Sequence, residues 1–368
     1  MNKSFVIVCS VLFILKAASL FASERAFVGA TSCQSCHQQQ FDSWQLSDHA
    51  KSMALPIALN VLGDFNDFSV EFHGINTTFF TKPDTSPYYW VKTIDQQGQR
   101  KEWPIKYTFG HYPLQQYLVE LDDGHIQALN VAWDSRPKEQ GGQKWYHLQP
   151  DEKISTKHPF FWARHFQNWN NRCADCHSTN VRKNYTQEQH SYKTTFSEIN
   201  VSCEACHGPA SEHVKLAKEG VLTPKKTGFL LARPEKIRWQ FEPENSIATH
   251  SSQPSNNEVN VCAQCHSLRT PLVDTNKLHG QEFLDANRLQ LIHTPAYFSD
   301  GQIREEVFVM GSFMQSKMYE RGVTCSNCHN PHTGKVLAED NTLCTQCHKS
   351  TVFDTPKHHH HSQNSAAT

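Results

Sequence analysis

The chain has 368 residues with 35 basic and 36 acidic side chains, a formal charge of −1, so no excess of either sign points to nucleic acid or an anionic surface. One domain per roughly 100 to 200 residues allows two or three units. Apolar content is about 40% once glycine is counted and tyrosine is not, against roughly 45–50% in ordinary globular chains, which leaves room for a core filled partly by something other than side chains.

Residues 1–23 carry Lys3, an apolar run from Phe5 to Leu15, and small residues at Ala17, Ala18, Ser19, Ala22 and Ser23. This order reads as a signal peptide cleaved near Ala22, and export would place the protein in the periplasm or outside the cell. A transmembrane anchor is the competing reading. The run is about half of the roughly 20 residues a span needs, and Lys16 interrupts it. Cleavage would remove Cys9 and leave a net charge of about −3, and no later stretch is long and apolar enough to span a bilayer.

Segment 24–64 holds the first Cys-x-x-Cys-His motif, at Cys33, Cys36 and His37. Five more follow: Cys173, Cys176 and His177; Cys203, Cys206 and His207; Cys262, Cys265 and His266; Cys325, Cys328 and His329; Cys344, Cys347 and His348. No cysteine after Cys9 is left over. Two thiols three positions apart reach the two vinyl groups of one haem as thioethers, and the histidine that follows ligates the iron. Disulfide frameworks and zinc sites also use cysteine pairs, but neither accounts for a histidine after every second cysteine. The expectation is six covalently attached c-type haems (heme c), whose macrocycles would supply the missing apolar core. Phe41 and Trp44 follow His37 at helical spacing, as on a helix face that covers a macrocycle.

Residues 65–150 change texture. The stretches 68–82, 87–95 and 99–109 are rich in Phe, Tyr, Val, Ile and Thr, with turn signals at Pro83 to Pro87 and Asp95 to Gly98. Tyr117 to Leu121 and His125 to Trp133 flank Asp122-Asp123-Gly124, a hairpin signature. Residues 151–368 carry the other five motifs. A stripe of Val307, Met310, Met314 and Met318 predicts a helix there, and Leu222 to Asn257 reads as a surface loop. The fold class expected is α+β, a mainly helical or irregular multihaem fold with a small antiparallel β subdomain inserted between the first and second motifs.

A haem iron with one histidine either takes a second protein ligand or keeps an open face. Of 23 histidines, 17 remain after the six motif residues. His49, twelve residues past His37, His213, six past His207, and His332, three past His329, are candidate second ligands. So is His147, at the end of the β region. His165 and the run His358 to His361 are further candidates.

The phrases Cys33 to His49 with Trp44 between, Cys203 to Pro209, and Gly322 to His332 resemble large exported multihaem cytochromes related to hydroxylamine oxidoreductase, octahaem tetrathionate reductase and pentahaem nitrite reductase. Pro113 to Leu118 and Ala132 to Pro137 resemble an uncharacterised subgroup of them. In such relatives a Ser-x-His before the motif corresponding to the fifth here supplies a distal imidazole, whereas this chain has Ser316-Lys317-Met318. The Met318 thioether is therefore a candidate ligand, with an ordinary core methionine as the alternative.

Two functions remain open on the sequence. An electron carrier would have its irons six-coordinate and exchange electrons with redox partner proteins. An oxidoreductase acting on a small inorganic nitrogen or sulfur compound would need one open iron, with the second and fourth motifs as the places to look. All six motifs end in histidine, and none has the lysine that marks the catalytic haem of the nitrite reductases, which favours the carrier.

Overall fold

The computed structural model describes residues 25–230, 237–251, 257–272, 282–304 and 307–362. The leader assigned to residues 1–23 lies outside them, as does part of the 222–257 segment.

The dominant element is a nine-stranded antiparallel sheet between the first two motifs. Its strands are β1 (Met53–Ala54), β2 (Phe68–Phe72), β3 (Ile75–Thr81), β4 (Tyr89–Ile94), β5 (Arg100–Phe109), β6 (Leu114–Glu120), β7 (Ile126–Ala128), β8 (Val131–Asp134) and β9 (Lys144–His147). They run β2-β3-β4-β5-β6-β8-β9 across the sheet, with β1 against β5 and β7 against β6. β-Branched and aromatic residues alternate sides as the pleat requires: Thr77 and Phe79 turn inward on β3, Val91 and Thr93 on β4. The buried Thr77 and Thr93 hydroxyls satisfy one another across the strands at 3.0 Å.

The sheet has a core on each face. On one, Phe79 stacks on Trp145 with ring centres 3.6 Å apart and planes 4° from parallel, and Phe65 and Tyr117 pack against the pair. On the other, Leu118, between Tyr117 and Val119 on β6 and so facing the opposite way, packs with Ala128, Trp169 and Ala174. Ala174 lies inside the second motif, so this face of the sheet seats that motif.

The hairpin at Asp122 to Gly124 forms as its sequence implies, joining β6 to β7. Gly124 has φ +79°, and a Cβ there would stand 2.1 Å from the Tyr192 carbonyl oxygen. The Tyr192 N–H donates to the Asp123 carbonyl at 3.0 Å, fixing the tip against a second hairpin, Tyr185–Thr186 with Ser191–Tyr192.

The expectation of a mainly helical chain with a small sheet is corrected. Among the described residues the longest helices, Gln38–Gln45 and Ser211–Lys218, have eight residues each. Helices that short do not persist alone, so they hold only where neighbouring segments clasp them. The Trp44 indole N–H, for example, donates to the Val201 carbonyl at 2.8 Å, tying Gln38–Gln45 to the approach of the third motif. The methionine stripe is not one helix either. Ser316 accepts from the Tyr319 N–H and caps a new turn, dividing Met310–Met314 from Lys317–Glu320.

Candidate functional site

Each motif is built on one helical turn. In five of them the histidine N–H donates to the carbonyl of the first cysteine at 2.9–3.2 Å, and the remaining one is itself the helical segment Cys203–His207. This closure brings the two sulfurs to one side of the turn and carries the imidazole past them. Such a turn needs no partner helix, because its only task is local.

Three pairs of imidazoles stand at a nearly constant separation. His37 and His213 have ring centres 6.2 Å apart, His49 and His266 6.2 Å, and His207 and His332 6.3 Å. Direct stacking would be far closer. Two bonds of roughly 2.0 Å to a shared metal, plus the roughly 1.1 Å from ring nitrogen to ring centre on each side, give about 6.2 Å. The residues present therefore fit an iron held between two imidazoles. Each pair joins one motif histidine to one from a distant segment: His213 follows the third motif, His49 the first and His332 the fifth.

Hydrogen bonds orient members of two pairs. His213 Nδ1 lies 2.7 Å from the Thr227 carbonyl and His266 Nδ1 3.0 Å from the Val307 carbonyl. A carbonyl only accepts, so Nδ1 carries the proton and Nε2 keeps the lone pair that could ligate a metal.

The motifs touch through their cysteines. The Cys33 thiol lies against Cys203, Cys176 against Cys265, and Cys262 against Cys325. Cys206 is close to Cys262, and Cys344 to Cys328. The direct contacts place the first motif beside the third, the second beside the fourth and the fourth beside the fifth. Burial pushes the Cys173 thiol up to about 11. The hydrogen bond with Cys33 drives Cys203 upward, and those with Cys265 and Cys325 do the same to Cys176 and Cys262. Burial also raises Cys328 and Cys347. The same sulfur contacts lower the Cys33 and Cys325 thiols. No disulfide joins any of the twelve.

His147 is elsewhere. It is 6% exposed at the end of β9, its ring meets Phe72 and His73 at 5.5 and 5.0 Å, and its Nδ1 accepts from the Gln149 N–H at 3.0 Å. It lines a small cleft of about 30 Å³ against the sheet with Thr77, Asn130 and Trp162. The structure thus makes it a core residue of the sheet, because the strand alternation that turns Trp145 inward turns His147 inward too. Met318 is 51% exposed on the short turn Lys317–Glu320, and His165 sits at the surface beside Arg172. The run His358 to His361 lies by the sixth motif, with Phe353 between His348 and His358 at 4.8 Å from each ring.

Glu204 is a functional residue that the sequence reading missed. This motif residue is 1% exposed, and its carboxylate accepts from the Val28, Gly29 and Ala210 N–H groups at 2.8–3.0 Å, tying the chain before the first motif to the third. An acidic residue between two motif cysteines was the available signal.

A protein family described as cytochrome c554 and c-prime matches residues 32–58 and 128–208, and a doubled CXXCH motif matches 318–353. The multiheme cytochrome MtrA of Shewanella baltica (strain OS185) is 25% identical over 166 residues, covering 40% of this chain and 42% of that protein. This chain therefore spans less than half the length of that curated relative. The crystal structure of the outer cell wall cytochrome OcwA shares the fold, with a TM-score of 0.52 at 14% identity over 89% of this chain and 68% of that one. The undecaheme cytochrome from the S-layer of Carboxydothermus ferrireducens gives a TM-score of 0.41 at 18% identity, over 89% and 43%.

Proposed function

We propose that this chain, a multihaem c-type cytochrome, is an exported electron carrier that holds one c-type haem at each of its six motifs and passes electrons between redox partner proteins. The observation that carries the reading is the set of three imidazole pairs with centres 6.2–6.3 Å apart. Bound haem supplies a one-electron Fe(III)/Fe(II) couple. The chain's own part is to hold, order and shield it. The motif turns present sulfur and imidazole, the Thr227 and Val307 carbonyls fix tautomers, and the sulfur contacts keep neighbouring motifs adjacent.

An enzyme with one open iron is the less favoured reading. The fourth motif, one of the two places where the sequence left room for it, has His49 opposite His266. The resemblance to the hydroxylamine- and nitrite-transforming cytochromes rests on short phrases around the motifs and names no substrate. Export is supported by the pattern of residues 1–23, and the relative named for the outer cell wall is in keeping with it.

Haem counting by intact mass, with electron paramagnetic resonance of the oxidised protein, tests the reading. Six haems without a high-spin signal responsive to nitrite or hydroxylamine is the expected outcome. Fewer haems, or a high-spin signal that shifts with those ligands, would overturn it.

A further inference from the structure

Arg269 stands where the second and fourth motifs meet. It opens the short strand Arg269–Pro271, which pairs with Asn287–Leu289, so its backbone is fixed three residues beyond His266. Its guanidinium donates from Nε to the Gln264 carbonyl at 2.5 Å and from an Nη to the Asp175 carboxylate, with the same Nη 3.9 Å from Cys176 Sγ. Gln264 and Asp175 occupy the same place in their motifs, immediately before the second cysteine. Those two cysteines, Cys265 and Cys176, touch each other.

The ion pair is lopsided. The Arg269 side chain is 8% exposed and that of Asp175 31%. Water screens the carboxylate more than the guanidinium, so the interior beside the two sulfurs sees a net positive field. Burying a guanidinium is costly, and one surviving carboxylate partner at the rim repays only part of that. A surface tie between two loops would not need the cation to point inward.

We propose that Arg269 is a potential-setting residue for the haems of the second and fourth motifs. The proposal rests on the electron-carrier reading. A fixed positive charge favours the iron state with one more electron, so Arg269 holds both potentials above the values the same ligands would give without it, and Asp175 moderates the effect. The contact between the second and fourth motifs is thereby biased to accept electrons.

The test is a spectroelectrochemical titration of the full-length, haem-loaded protein, with haem content verified by mass, for wild type, Arg269→Gln, Arg269→Lys and Asp175→Asn. Arg269→Gln is expected to shift two midpoints to lower potential, Asp175→Asn to shift the same two upward, and Arg269→Lys to stay near wild type. Opposite signs separate charge from mere loss of packing, which would move both variants the same way. Shifts of one sign in Arg269→Gln and Asp175→Asn, or unmoved midpoints in a fully loaded protein, would overturn the proposal. Wild-type protein without haem would instead sink the carrier reading and the proposal with it.

Discussion

The rings of His207 and His332 lie 12° from parallel with their centres 6.3 Å apart, one from the third motif and the other just past the fifth. With His37 opposite His213 and His49 opposite His266, the pairs lace the first, third, fourth and fifth motifs together. With an iron between each pair, none of these segments would complete its own site. Replacing His332 with Ala should therefore convert a single haem, that of the third motif, from low spin to high spin. Electron paramagnetic resonance would show one new high-spin signal, whereas a change at the fifth-motif haem instead would break the assignment.

The pairs differ in twist. His49 and His266 are 71° apart in plane, against 29° for His37 and His213 and 12° for His207 and His332. Parallel imidazoles split the two iron orbitals of π symmetry, and crossed ones leave them nearly degenerate. The oxidised protein should thus give one strongly axial low-spin signal beside rhombic ones, and His49→Ala should abolish the axial signal alone. Loss of a rhombic signal in that variant would contradict the geometry.

Glu204 has no exposed face, and three backbone N–H groups depend on its carboxylate. In Glu204→Gln an amide N–H₂ must turn toward at least one of those donors, which leaves buried groups unsatisfied at a cost of about 1–3 kcal/mol. Chemical denaturation should report that loss, together with earlier proteolysis ahead of Ala30 as the chain before the first motif loosens. A stability equal to wild type would mean that the clamp adds nothing.

Local chemistry was legible in the sequence and long-range pairing was not. The motifs are spaced by covalent necessity, so Cys173, Cys176 and His177 announce themselves wherever they fold. The hairpin at Gly124 was equally local. Segment 68–82 read as a single β-rich stretch, although it turns back at His73 and Gly74, both of positive φ. The shortness of the helices was missed because haem-bearing segments suggested helix, whereas each motif needs only a single turn. His213, His49 and His332 were plausible by position, but their partners depend on segments far apart in the chain. His147 lies apart from these pairs for a different reason. Its neighbours Tyr146 and Leu148 could not reveal that Phe72 and His73 would close over it from another strand.

His147 supplies a test that separates sheet from haem. Burial lowers its imidazole below the ordinary value of about 6.5, and His73 acts in the same direction. A depressed folded value means that the unfolded chain takes up the proton first, so stability is whole above about pH 6.5 and falls as the pH drops from there toward the folded value. Asn at this position keeps a side-chain acceptor for the Gln149 N–H and removes the titration. Urea midpoints followed by hydrogen exchange in β3 and β9 should fall between pH 7.5 and 5.5 by less in His147→Asn than in wild type. The haem spin states should be identical in the two proteins at both pH values, since His147 faces the sheet's own cleft. A new high-spin haem in His147→Asn would return this residue to the ligand set, and a parallel pH loss in both proteins would assign the titration elsewhere.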